Sequence, residues 1–293
     1  MTTRRDFMFG STALFAFSSG MAPAFAASVD RRAFIAEMQR IERDVKGRLG
    51  VVVRDTGSGI QIGHRSLERF PMCSTFKLLA AALVLRRVDE GKEKLDRRIT
   101  VRQSDIITYS PVTEKRIGRD MTIAELCEAV MTLNDNAAGN LLLASFGGPP
   151  AITAFARTLG DGVTRLDRNE PALNEAIPND PRDTTTPTAM ARNIRRLVLG
   201  SALKPDSKDQ LTRWLLANKT GDTRLRAQLP AGWRVGDKTG SGERGSTNDV
   251  GVLWSPQDAP IIVTAYLTET SASPEARNVA IAAVGQAVAA MRV

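Results

Sequence analysis

Strand-forming runs lie at the two ends of this chain, and its middle reads as helix. Near the start, Gly50-Val51-Val52-Val53 passes through a turn at Thr56-Gly57-Ser58-Gly59 into a short extended segment at 60–64. Near the end, Trp233 to Gly240, Val250 to Trp254 and Ile261 to Leu267 read as strands, the last two divided by Pro256 and Pro260. Between them, Thr122-Ile123-Ala124-Glu125 is a capping box that predicts a helix over 122–132. Further helices are expected over 74–88, 136–145, 188–199 and 207–217, with a short one ending at Leu159-Gly160; residues 99–119 look irregular. Helical spacing of Phe34, Ile35, Met38 and Ile41 marks 31–45, and an Ala-rich helix closes the chain over 275–291. The economical architecture is one antiparallel sheet built from both ends, flanked by the terminal helices, with an all-α insert between.

The insert opens on Cys73-Ser74-Thr75-Phe76-Lys77, followed by the unbroken apolar run Leu78 to Leu85. A helix that is apolar all round is a buried one. Its start is expected near Ser74, behind Pro71. Positions i and i+3 share a helix face, so Ser74 Oγ and Lys77 Nζ can meet. The Ser74 N–H would be among the first-turn donors that have no intrahelical partner. A nucleophile, a base and an oxyanion donor would then stand at one helix end. Three more patterns follow in order: Asn134-Asp135-Asn136, Glu170-Pro171-Ala172-Leu173-Asn174 and Lys238-Thr239-Gly240. The second lies in a proline-rich loop, 165–188, where Arg165, Asp167, Arg168, Asp183 and two glutamates could pair and fix it. Loops of this length are usually functional or disordered.

Composition removes other classes. The net charge is +8, but the Lys and Arg are dispersed, aromatics are only 5%, and no nucleic-acid motif occurs. The single histidine, His64, reads as an edge-strand residue, and Cys73 and Cys127 offer no ligand spacing, so no metal or other cofactor is expected. With His64 the one candidate for a Ser-His-Asp arrangement, the base for Ser74 is expected to be Lys or Glu. Residues 1–26 read as a twin-arginine export signal: Arg4-Arg5, a short interrupted apolar stretch, then Ala24-Phe25-Ala26 as a cleavage site. The mature protein is expected to be periplasmic or secreted, without a membrane anchor.

In this order the four patterns resemble those of a class A serine β-lactamase, over essentially the whole chain after the signal, and Arg165 to Asp183 is similar to that family's Ω-loop throughout. The resemblance implies an α/β (α+β) fold. An antiparallel five-stranded sheet with its terminal helices would form one domain (27–70 and 217–293). An all-α domain (71–216, with the Ω-loop at 165–183) would form the other, and the active site would lie at their interface. It implies hydrolysis of the β-lactam amide of penicillin- or cephalosporin-type antibiotics through a Ser74 acyl-enzyme, conferring resistance. Lys77 or Glu170 would activate Ser74, and Glu170 with Asn174 would hold the deacylating water. The Ser74 and Ser241 N–H groups would form the oxyanion hole. Lys238, Thr239, Gly240 and Ser241 would line the wall that receives the substrate carboxylate. Arg224 would support that wall, with Arg226 its rival. Asn136 would bind the substrate amide and Tyr109 would form part of the cleft rim. The expected partner is a small-molecule β-lactam, not a nucleic acid, and the expected state is a monomer.

The sequence departs from the family in two places. Asn134 stands where the family carries a serine thought to relay a proton to the leaving nitrogen. Cys73 and Cys127 each match half of a family disulfide, but Gly242 and Ala81 occupy the partner positions, so two free thiols are expected. Two alternatives share parts of the pattern: a D,D-peptidase, which lacks Glu170-x-x-Leu-Asn174, and a β-lactam-binding protein that turns over slowly, which Asn134 keeps open.

Overall fold

The two ends of the chain meet in one sheet in this computed structural model, which describes residues 31–291. The expected export signal at 1–26 lies outside the described residues. Helix α1 (Arg31–Asp44) leads into the hairpin β1 (Arg48–Asp55) and β2 (Gln61–His64), then β3 (Phe70–Pro71). The helical middle comprises α2 (Phe76–Asp89), β4 (Arg98–Thr100), β5 (Asp120–Thr122), α3 (Ile123–Thr132), α4 (Asn136–Ser145) and α5 (Pro149–Thr158). After the long loop come β6 (Thr184–Thr185), α6 (Pro187–Ile194) and α7 (Pro205–Leu216). The chain closes with β7 (Arg234–Ser241), β8 (Thr247–Trp254), β9 (Ile261–Thr268) and α8 (Pro274–Ala290).

The sheet is antiparallel throughout, in the order β2-β1-β9-β8-β7. Its centre is the pairing of β1 with β9, in register from Arg48 opposite Thr268 to Asp55 opposite Ile261. Successive strand residues point to opposite faces. Val51, Val53, Val263 and Leu267 pack with Phe34, Met38, Ile281 and Val284 of the terminal helices. Val52, Val250, Ile262 and Tyr266 join the core of the helical middle instead. Both faces of the sheet are therefore covered, and β7 presents its end to the helical part.

Helix α2 is the axis of that part: every residue from Phe76 to Ala82 is buried, Lys77 included. A buried leucine is worth about 1.5–3 kcal/mol in transfer free energy, so this run anchors the fold as well as the site. The helix starts slightly later than expected. Cys73–Thr75 form a 3-10 turn, Cys73 has φ +45°, and α2 begins at Phe76. Thr122 caps α3 as the capping box predicts, its side chain accepting from Glu125 N while Glu125 reaches back to Thr122 N.

Two short strand pairs depart from the sequence reading. Arg98 to Thr100 pairs with Asp120 to Thr122, closing a stretch expected to be irregular. Phe70 and Pro71 pair with Thr185 and Thr184, which fastens the end of the long loop just ahead of Ser74. Asp183 closes that loop: its Oδ1 accepts from the Asp167 and Arg168 N–H groups at 2.8 and 3.0 Å, and its Oδ2 from Arg168 Nε at 2.6 Å. Arg168 also pairs with Glu175 and Arg165 with Asp167. The loop is fixed as expected, but just one of its two glutamates takes part; Glu170 turns inward.

Candidate active site

Ser74, on the turn that opens α2, meets Lys77 as the i, i+3 spacing predicts: Lys77 Nζ lies 3.1 Å from Ser74 Oγ. The inward turn of the long loop brings Glu170 Oε1 to 3.2 Å from Ser74 Oγ and 3.1 Å from Lys77 Nζ. The start of α4 supplies the remaining partners of Lys77. Its Nζ donates to Asn134 O at 2.8 Å and Asn136 Oδ1 at 2.6 Å, with Asn134 Oδ1 at 3.3 Å. Burial pushes Lys77 below the ordinary lysine value, and the Glu170 carboxylate pulls the other way. An amine with a lowered pKa exchanges protons with a hydroxyl more readily than an ordinary ammonium does. Asn174 donates from Nδ2 to Glu170 Oε2 at 2.5 Å, so Glu170 and Asn174 point into the site together from one turn of the loop.

The end of β7 forms the opposite wall. Gly240 allows it to come close: a Cβ there would lie 2.9 Å from Met72 O and 3.2 Å from Ser74 N. Lys238 is buried, and its Nζ donates to Asn134 Oδ1 at 2.9 Å and Thr239 O at 2.7 Å. Burial and the neighbouring Lys77 charge push Lys238 well below the ordinary lysine value. Thr239 is hydrogen-bonded to Thr220. Arg224, nearly buried, donates to Gly240 O at 2.9 Å, Asn248 O at 2.7 Å and Ser241 Oγ at 2.7 Å. Arg226 pairs instead with Asp237. Tyr109 is held beside Asn136 by its backbone, its carbonyl accepting from Asn136 N at 3.0 Å, and its side chain is exposed.

A family model described as the Beta-lactamase enzyme family matches residues 33–291. The chain belongs to that family. It is 46% identical to Beta-lactamase CTX-M-8 of Citrobacter amalonaticus over 281 residues, 96% of each chain. It is 47% identical to Beta-lactamase L2 of Stenotrophomonas maltophilia, over 93% of this chain and 90% of that one. Among solved structures, an ancestral class A β-lactamase shares 61% identity at TM-score 0.86, covering 87% of this chain and 98% of the other.

For a β-lactamase fold, the site contains groups that the motifs alone do not reveal. Asn140, one helical turn after Asn136, clamps the Glu170 backbone: it donates to Glu170 O and accepts from Glu170 N, both at 2.9 Å. The i, i+4 spacing from Asn136 was the available signal. Asp135 caps α4 and also accepts from the Val112 and Thr113 N–H groups at 2.9 Å, fixing the turn that carries Asn134 and Asn136. Behind Lys238, burial and the Asp237 carboxylate push Asp249 well above the carboxylate range. Neither cysteine is in a disulfide, and a Cβ on Gly242 would sit 2.7 Å from Cys73 Sγ.

Proposed function

We propose that this β-lactamase opens the β-lactam ring by acylating Ser74 and then releases the product by hydrolysis with Glu170. One observation carries the reading: Ser74 Oγ is within hydrogen-bonding distance of both Lys77 Nζ and Glu170 Oε1, in a cleft whose far wall is the buried Lys238. Ser74 Oγ bonds to the lactam carbonyl carbon and gives its proton to Lys77 or to Glu170. The C–N bond breaks and the ring nitrogen takes up a proton. Water held by Glu170 and Asn174 then attacks the ester, its proton passing to Glu170, and Ser74 regains its own. The Ser74 and Ser241 N–H groups stabilise the oxyanion, a contribution of about 10²–10³ in rate for one such donor.

Lys238, Thr239, Gly240 and Ser241 receive the substrate carboxylate, with Arg224 holding Gly240 and Ser241 in place. Asn136 Oδ1 is committed to Lys77 and its Nδ2 donates to Thr108 O, so its contact with the substrate amide uses the second Nδ2 hydrogen. Tyr109 forms the rim. In this reading the cleft is the seam between two domains, 27–70 with 217–293 and 71–216. The twin-arginine pattern supports export to the periplasm, where such an enzyme, acting as a monomer, confers resistance to β-lactam antibiotics. The parent should hydrolyse benzylpenicillin, and Ser74→Ala should abolish it; hydrolysis that survives in Ser74→Ala overturns the proposal.

A further inference from the structure

On the outer side of the loop that carries Glu170, Arg48, Arg69, Arg168 and Arg182 converge on a cavity of about 430 Å³. Pro71, Leu173, Ala176 and Ile177 give it an apolar wall. Three carboxylates also line it, and each is held by an arginine. Glu269 pairs with Arg48 at 2.9 Å, Glu68 with Arg65 at 3.1 Å, and Asp180 with Arg182 at 2.6 Å. Arg168 is committed to Asp183 and Glu175. Arg69 differs. Its Nη1 donates to two neutral oxygens, Val163 O at 3.0 Å and Thr184 Oγ1 at 2.9 Å, and its side chain forms no ion pair among the described residues.

We infer that this cavity is a binding site for a small organic carboxylate, its charge on Arg69 and its apolar body against Leu173, Ala176 and Ile177. A guanidinium offers a planar fork that matches a carboxylate, and charge-assisted hydrogen bonds of this kind are among the stronger ones. The volume lies within the usual size of small-molecule sites, about 300–1,000 Å³. The site is also connected to the chemistry. Leu173 belongs to the 3-10 turn Ala172–Asn174; on either side of it Glu170 meets Ser74 and Asn174 bonds to Glu170. An occupant that packs on Leu173 therefore acts on the pose of Glu170, and this consequence rests on Glu170 activating the deacylating water.

The test is a titration of the isotope-labelled full chain with phenylacetate, followed by NMR. Saturable shifts at the Leu173, Ala176 and Ile177 amides are expected, with a dissociation constant on the order of 1 mM for a ligand of this size. Arg69→Met should weaken binding about tenfold, and Arg69→Lys should retain part of it. Arg69 also braces Val163 and Thr184, so if Arg69→Met fails to fold, Ile177→Asp decides: Ile177 is 41% exposed, and a like charge there should weaken binding without touching the brace. Absence of saturable shifts, shifts confined to Thr239, Gly240 and Ser241, or an affinity unchanged in the deciding variant overturns the site. The coupling is read separately: saturating phenylacetate should change the decay of the Ser74 acyl-enzyme about twofold or more at a constant acylation rate. Unchanged decay overturns the coupling, and the NMR result stands whatever the role of Glu170.

Discussion

Asn134 Oδ1 accepts a hydrogen bond from Lys238 Nζ at 2.9 Å, and the same oxygen lies 3.3 Å from Lys77 Nζ. One amide carbonyl thus bridges the two buried lysines of the site. The bridge orients the side chain: the oxygen is engaged, and the group left over is an amide NH₂, which donates hydrogen bonds but does not hand on a proton as a hydroxyl does. In the proposed mechanism the leaving nitrogen would then receive its proton by a less direct route, such as water.

Asn134→Ser should therefore raise turnover, because a hydroxyl between Lys77 and Lys238 can both accept and release a proton. A positioned acid or base is commonly worth about 10²–10⁴ in rate, and recovery of about tenfold is expected if water carries part of the load in the parent. Steady-state kinetics on a penicillin and a cephalosporin measure it. A variant no faster on any β-lactam contradicts the assignment.

The loop that positions Glu170 should loosen in acid. Hydrogen bonds from Arg165 hold the Asp167 carboxyl below the usual carboxylate range, and Asp167 Oδ2 accepts from Asp183 N at 3.0 Å to close the loop. A carboxylate with a lowered folded pKa contributes its stability in full above the unfolded value, about 3.9, and loses it as the pH falls through the folded one. Limited proteolysis within 165–183 should accelerate below about pH 4 in the parent. Asp167→Asn should show faster cleavage already at neutral pH, with a flatter acid response. A parent cleavage rate that stays flat into acid argues against this closure.

Both thiols should be free and unreactive in the folded protein. Cys73 and Cys127 are buried and unpaired, and burial pushes the Cys73 thiol up to about 12, far from the thiolate that reacts. A thiol reagent should find none in the native protein and both after denaturation without reductant. A count of none after denaturation would mean they are linked.

Much of this was legible in the sequence because it rests on local patterns. The strand runs at the two ends, the capping box at Thr122 and the i, i+3 spacing of Ser74 and Lys77 each determine structure within a few residues. The two short strand pairs were not legible, because two or three residues carry no period to read. Nor were the different partners of Arg224 and Arg226, which lie two residues apart, one reaching Ser241 and one Asp237. Asn140 lies inside the helix expected over 136–145, and its clamp on Glu170 exists only once the loop folds over α4. The bridge from Asn134 to Lys238 joins positions 104 apart, a contact that no local pattern encodes.

The most direct test of the two-step chemistry is intact-protein mass spectrometry after mixing with benzylpenicillin, on the parent and on Glu170→Gln. The parent should return to its free mass as the antibiotic is consumed. Glu170→Gln should accumulate an adduct of one antibiotic mass on Ser74, because losing the base slows deacylation by about 10²–10⁴. A Glu170→Gln variant that clears its adduct at the parental rate, or an adduct that maps to a residue other than Ser74, would contradict the assignment.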